Sequence, residues 1–308
     1  MRDDAVMRSS PLRVRRVVRS RLVARCAVCA IVVAAVAAAG CAHAAQPAAL
    51  ILGPQRELLV RAEVNGRPAT LQLDTGASTT SFAGHAPERF HLRGGWPTAG
   101  HGAGGELGKV VWAQVVKLEV AGETIRGLMA AVFGLDGAHG TIDGVLGMDV
   151  LGSYVLDVDL RALRVVLLPA GASYVTPDLV AADYRPLPGG QIALAVAING
   201  RPVTAVLDLG ANRTFANPHT GLVADDDETT ITAAIGADRK RLTFRAASQV
   251  AIDLGPLALQ ARSVWITDLP IFRTFGLADR PAVVLGTDVL AGRRVVIDPF
   301  AHRVYLSR

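Results

Sequence analysis

One phrase occurs twice in this chain, and it limits the fold more than any other feature. From Leu58 an alternating run leads into the turn Asn65-Gly66-Arg67-Pro68, and a second alternating run ends at Asp74. The same order returns from Val196 through Asn199-Gly200-Arg201-Pro202 to Asp208, 134 residues further on. Alternating apolar and polar residues on both sides of Asn-Gly spell a β-hairpin, because a two-residue turn of the right twist needs positive φ at both central positions. Another pair of blocks follows in the same order. Val145-Leu146-Gly147 with Asp149 aligns with Val284-Leu285-Gly286 with Asp288, now 139 residues apart. Asp159 with Arg164-Val165-Val166-Leu167 aligns with Asp298 and Arg303-Val304-Tyr305-Leu306 at the same offset. Two copies at so long a period predict a duplicated lobe rather than a solenoid.

The boundaries follow from the blocks. Residues 1–40 read as a leader, 41–55 as a spacer, 56–169 as the first lobe, 170–183 as a linker and 184–308 as the second lobe. Both lobes are short β-branched runs punctuated by Gly, Pro and Asn, so the fold class is all-β. Helix signals are few; Asp149 and Asp288 are the expected N-caps of one short helix in each lobe.

Charge excludes one large class of function. Eight of the 32 basic residues and two of the 27 acidic ones lie in the first 40 positions, leaving 24 against 25 in the remainder. That near-neutral remainder lacks the basic surface that phosphate binding requires, so no nucleic-acid partner is expected. The leader itself has the layout of a secretory signal, with an Arg-rich start followed by the apolar run Cys26 to Gly40. That run is shorter than the roughly 20 residues of a membrane span. Two exits are open. Ala38-Ala39-Gly40-Cys41 resembles a bacterial lipobox, in which Cys41 takes a lipid anchor; Ala42-His43-Ala44 offers ordinary cleavage. Both predict an exported protein, periplasmic or anchored to the outer membrane. Cys26, Cys29 and Cys41 are the only cysteines, so nothing downstream can form a disulfide with Cys41.

The chemistry-bearing residues sit at the repeated strand ends. Asp74-Thr75-Gly76 and Asp208-Leu209-Gly210 each place a carboxylate where a strand stops and a glycine lets backbone amides approach it. Other constellations are weaker. The spacing Gly100, Gly102, Gly105 spells G-x-G-x-x-G, but the following Lys109-Val110-Val111-Trp112 reads as strand, whereas a dinucleotide fingerprint must open a helix. No H-E-x-x-H pair and no G-x-S-x-G elbow is present. The acidic run 225–228 lacks the alternation of a calcium loop and reads as a solvated loop. Trp96, Trp112 and Trp265 are assigned to core or hairpin packing, with the cleft as the alternative.

Taken together, the strand ending in Asp74-Thr75-Gly76, its counterpart Asp208-Leu209-Gly210, the Gly-rich stretch 100–108 and the Val-Leu-Gly blocks resemble the retropepsin-like aspartic proteases, in a duplicated bilobal form. The resemblance covers nearly all of residues 58–306. It implies two acid-protease lobes about a pseudo-twofold axis and catalysis by Asp74 and Asp208. It also implies support from Thr75, Gly76 and Gly210, and a flap carrying Gly102, Gly104 and Gly105. No metal or cofactor is implied. The partner would be a polypeptide, and the chain a monomer whose two lobes pair internally. Such chemistry has a physical basis: two carboxylates about 3 Å apart cannot both ionise, so they share a proton and act together as acid and base. Leu209 departs from the pattern, since the hydroxyl expected there would cross to the other lobe. Two alternatives therefore stay open: a degenerate peptide-binding lipoprotein, and pairing of first lobes between two chains.

Overall fold

The computed structural model of the chain describes residues 45–102, 105–134, 142–225, 231–235 and 240–308. The leader, the three cysteines, Gly104 of the flap and residues 226–228 of the acidic run lie outside the described residues.

Both Asn-Gly turns form as the sequence predicts. Asn65 and Gly66 take φ values of 51° and 78°, and Asn199 and Gly200 take 50° and 75°. They join Leu58–Val64 to Arg67–Leu73 in the first lobe and Ile192–Ile198 to Arg201–Leu207 in the second. Alternation sets the faces: Val60, Ala62 and Val64 are buried while Arg61 and Glu63 are exposed. The Val-Leu-Gly blocks supply the parallel neighbours. Gly144–Leu146 lies beside Leu71–Leu73, and Ala282–Leu285 beside Thr204–Leu207.

From there the two lobes close in the same way. In the first, Ser81–Ala83 bridges Gly144–Leu146 and Glu123–Phe133. Val110–Val120 then returns to Leu58–Val64. In the second, Phe215–Ala216 bridges Ala282–Leu285 and Leu257–Ile266. Lys240–Leu254 returns to Ile192–Ile198. Each lobe is thus a closed six-stranded barrel, which leaves no free sheet edge in its core. The barrel cores are apolar, with Phe82, Phe90, Phe244, Leu71 and Ile192 among the largest fully buried side chains.

A six-stranded antiparallel sheet ties the lobes together, its two outer strands running on to pair with Leu58–Val64 of the first barrel and Ile192–Ile198 of the second. Its strands run Ala48–Leu52, Arg164–Leu168, Val155–Asp159, Arg294–Asp298, Arg303–Ser307 and Leu179–Pro186. The first of these lies in the stretch read as spacer, and the last begins inside the stretch read as linker. At the central seam Arg294 grips Asp157 with two bonds, Nε to Oδ1 at 2.9 Å and Nη2 to Oδ2 at 2.7 Å. Arg294 Nη2 also donates to the Tyr174 carbonyl at 3.1 Å. Asp157→Ala is expected to cost about 1–2 kcal/mol, less than for a fully buried pair because both side chains keep some solvent contact. The urea midpoint measures it. Replacing both partners with apolar residues should recover most of the loss, since no charge is then left unpaired.

One local expectation is corrected. Asp149 is not an N-cap: the short helix Met148–Leu151 starts after Gly147, and its cap position makes no side-chain bond. Asp149 instead accepts from Thr80 N at 2.8 Å and Thr80 Oγ1 at 2.7 Å. Asp288 does the same with Thr214, at 3.1 and 2.7 Å, and no helix follows it. A long-range threonine outcompetes the local capping role, and each aspartate clamps the loop after the Asp-x-Gly turn onto its barrel.

Candidate functional site

The two repeated strands deliver Asp74 and Asp208 to the same point between the lobes. Each strand end is pinned by its parallel neighbour, Asp74 N to Leu146 O at 3.1 Å and Asp208 N to Leu285 O at 3.0 Å. Gly147 and Gly286 finish those neighbours because there is no room for a side chain. A methyl group on Gly147 would lie 2.6 Å from the Thr79 carbonyl carbon, and one on Gly286 2.4 Å from the Arg213 carbonyl oxygen.

Past each aspartate the chain turns so that two amides face the carboxylate. Asp74 Oδ1 accepts from Gly76 N at 2.8 Å and Ala77 N at 2.9 Å. Asp208 Oδ1 accepts from Gly210 N at 2.8 Å and Ala211 N at 3.2 Å. The glycines also let the lobes meet. A methyl on Gly76 would sit 2.4 Å from an Asp208 oxygen, and one on Gly210 2.3 Å from the Asp74 carboxyl carbon. Each carboxyl group thus lies against the glycine of the opposite turn, which makes the two carboxyl groups neighbours.

That contact sets the electrostatics. Burial pushes the Asp74 carboxyl well above the usual carboxylate range, and the neighbouring Asp208 charge adds to the rise. Burial also raises Asp208, against the pull of the Gly210 and Ala211 amides and of the Asp74 hydrogen bond. The pair therefore retains a proton where isolated carboxylates have lost theirs, and it titrates as a unit.

Thr75 and Leu209 make the junction asymmetric. Fully buried Thr75 donates through Oγ1 to Leu207 O at 2.9 Å and accepts from Leu209 N at 2.9 Å. Leu209 cannot return those bonds; its side chain is buried in the shared apolar core instead. Two glutamines, not singled out by the sequence, also cross the boundary. Gln72 Nε2 donates to Gly210 O at 2.8 Å, and Gln191 Nε2 to Gly76 O at 3.3 Å. Thr80 and Thr214 were likewise missed, although both stand six residues after their aspartate.

Above the carboxylates lies a cleft of about 550 Å³. Its walls are apolar on both sides, with Val110, Trp112 and Phe133 from one lobe facing Phe215, Leu269 and Phe275 from the other. Trp112 thus belongs to the cleft. Trp265 packs against Phe215 and Phe244, and Trp96 is exposed on the flap arm. The Gly-rich stretch folds as a hairpin, with His101–Gly102 paired to Gly105–Glu106 and no helix after it, so it does not have the form of a dinucleotide fingerprint. Gly100, His101 and Gly102 line the cleft, and that strand lies beside the second-lobe helix Pro270–Thr274. The hairpin therefore spans the opening from one lobe to the other. Among the described residues no cluster of three or more His, Cys, Asp or Glu is placed to hold a metal.

Residues 60–150 match a family model described as aspartyl protease. The match takes in Asp74-Thr75-Gly76, the flap and Val145-Leu146-Gly147. No curated protein matches the chain.

Proposed function

We propose that the chain is an aspartic endopeptidase whose Asp74 and Asp208 work as one catalytic pair, a reading supported by the match of residues 60–150 to the aspartyl protease model. The observation that carries this reading is the placement of the two carboxyl groups together in the cleft, each against the glycine of the opposite turn. With one proton between them, one carboxylate takes a proton from a bound water while the other gives its proton to the carbonyl oxygen of the scissile bond. The water oxygen bonds to the carbonyl carbon. Collapse of the tetrahedral species then breaks the C–N bond as the amine takes up a proton. The substrate is an extended polypeptide lying under the flap with apolar side chains against both walls. No cofactor enters the scheme. We further propose that the lobes arose by duplication, that the chain acts as a monomer with its lobes paired internally, and that it works in the cell envelope after export, soluble or held by lipid on Cys41.

Cleavage of a mixed peptide library between pH 3 and 8 tests the reading. Expected is a bell-shaped profile whose basic limb lies above the range of ordinary carboxylates, since both members of the pair are raised. The Asp74→Asn/Asp208→Asn double variant should give no products. Equal cleavage by that variant, or no cleavage by the natural chain at any pH, would sink it. Intact mass of the mature protein decides the form of the N-terminus.

A further inference from the structure

We infer that Gln72 and Gln191 are positioning residues that tune each carboxylate from the opposite lobe, through a single peptide group. This rests on the catalytic pairing proposed above and extends it to two side chains outside the Asp-x-Gly turns.

The argument is one of connectivity. The carbonyl of Gly210 and the amide N–H of Ala211 belong to the same peptide group. Gln72, in the first lobe, donates to that carbonyl at 2.8 Å. The N–H on the other side of the group donates to Asp208 Oδ1 at 3.2 Å. The mirrored relay runs the other way. Gln191, in the second lobe, donates to Gly76 O at 3.3 Å, and Ala77 N of that peptide group donates to Asp74 Oδ1 at 2.9 Å. Both acceptors are carbonyl oxygens, so each glutamine must present its NH₂ rather than its oxygen. A donor on the carbonyl polarises the peptide group and strengthens its N–H as a donor, an increase of roughly 10–30% per bond in a chain. Stronger donation to a carboxylate favours its ionised form.

Neither residue is explained by the repeat. The position equivalent to Gln72 in the second lobe is Val206, and the position equivalent to Gln191 in the first is Glu57. Space is nonetheless set aside for Gln191. Gln191 is buried, and a methyl on Gly189 would lie 2.6 Å from its Nε2 and 2.7 Å from its Oε1. With Leu209 unable to make the second half of the threonine link, the two glutamines add side-chain bonds to the opposite Asp-x-Gly turn. The titratable side chains lining the cleft among the described residues are Glu57, Asp74, His101 and Asp208, with no Lys or Arg.

The test is the pH dependence of Gln72→Leu and Gln191→Leu. Losing the donor raises the affected carboxylate, so the acid limb of kcat/KM should move up by about half a pH unit, with kcat about tenfold lower and KM within about threefold. Gln191→Leu should move it less, its bond being the longer. Gln72→Glu should regain activity below about pH 4, where a protonated carboxyl can donate to the same carbonyl, and lose it above. Activity lost with an unmoved acid limb would reduce the glutamines to structural residues and overturn the proposal. Carboxyl carbon NMR titration of Asp74 and Asp208 in natural and Gln72→Leu proteins gives a readout independent of turnover. A higher Asp208 midpoint in the variant supports the relay, and identical midpoints overturn it. If the natural chain cleaves nothing while the midpoints shift, the proteolytic reading fails and the relay stands.

Discussion

Asp74→Asn is expected to lower peptide cleavage by about 10³-fold or more, while leaving the protein at least as stable as the natural chain at neutral pH. The loss follows from chemistry: an asparagine can neither take a proton from water nor hold the shared proton, and positioned acid–base groups contribute on the order of 10²–10⁴. The stability follows from linkage. Asp74 and Asp208 both titrate above the ordinary value of 3.8 in the folded protein. Above that value the folded state holds more protons than the unfolded chain. Stability contributed by the pair is therefore complete below about pH 3.8 and is lost as pH rises through the raised values. Asparagine carries no such dependence, and its amide can donate to Asp208 without charge repulsion. Urea midpoints at pH 4 and pH 8 should show the variant gaining on the natural chain as pH rises, alongside the collapse of kcat/KM. A variant that loses stability most at pH 8 would mean the pair is not strained by ionisation. A variant that cleaves normally would remove Asp74 from the chemistry.

What the sequence discloses, and what it hides, divides by the range of the interaction. The Asn-Gly turns, the strand-ending aspartates and the glycines after Val-Leu were legible because backbone geometry dictates those residue types locally. The repeat added Asp208 by alignment, despite Leu209. The outer strands of the sheet between the lobes were hidden. Ala48–Leu52 and Leu179–Pro186 carry Ala, Asp and Pro like a linker, and become strands because Arg164–Leu168 and Leu58–Val64 pair with the first, and Arg303–Ser307 and Ile192–Ile198 with the second. Asp149 was misread for the same reason. A local rule makes it a cap, but Thr80, 69 residues away, provides two partners and wins. Gln72 had no local mark at all, since its partner Gly210 lies 138 residues along the chain.

The second large effect is expected at Thr75. Thr75→Val keeps the shape of the side chain and removes only its hydroxyl, which holds Leu207 O and Leu209 N across the lobe boundary at 2.9 Å each. The site is fully buried, so water cannot replace the lost partner. Leaving a donor and an acceptor in this setting costs about 2–4 kcal/mol in total. Because Leu209 cannot supply a matching hydroxyl, no equivalent side-chain bond stands behind it. The two Asp-x-Gly turns would then be joined mainly by the glutamines and by apolar packing around Leu209, and a sub-ångström drift of one carboxyl from the other is enough to weaken proton sharing. Cleavage should fall by about 10²-fold, as for other misplaced catalytic groups. Urea unfolding and kcat/KM measured on the same preparation separate the two consequences. A variant as stable and as active as the natural chain would show that packing around Leu209 alone holds the lobes in register. A loss in both would show that one threonine does the work for which the aspartic-protease pattern uses two hydroxyls.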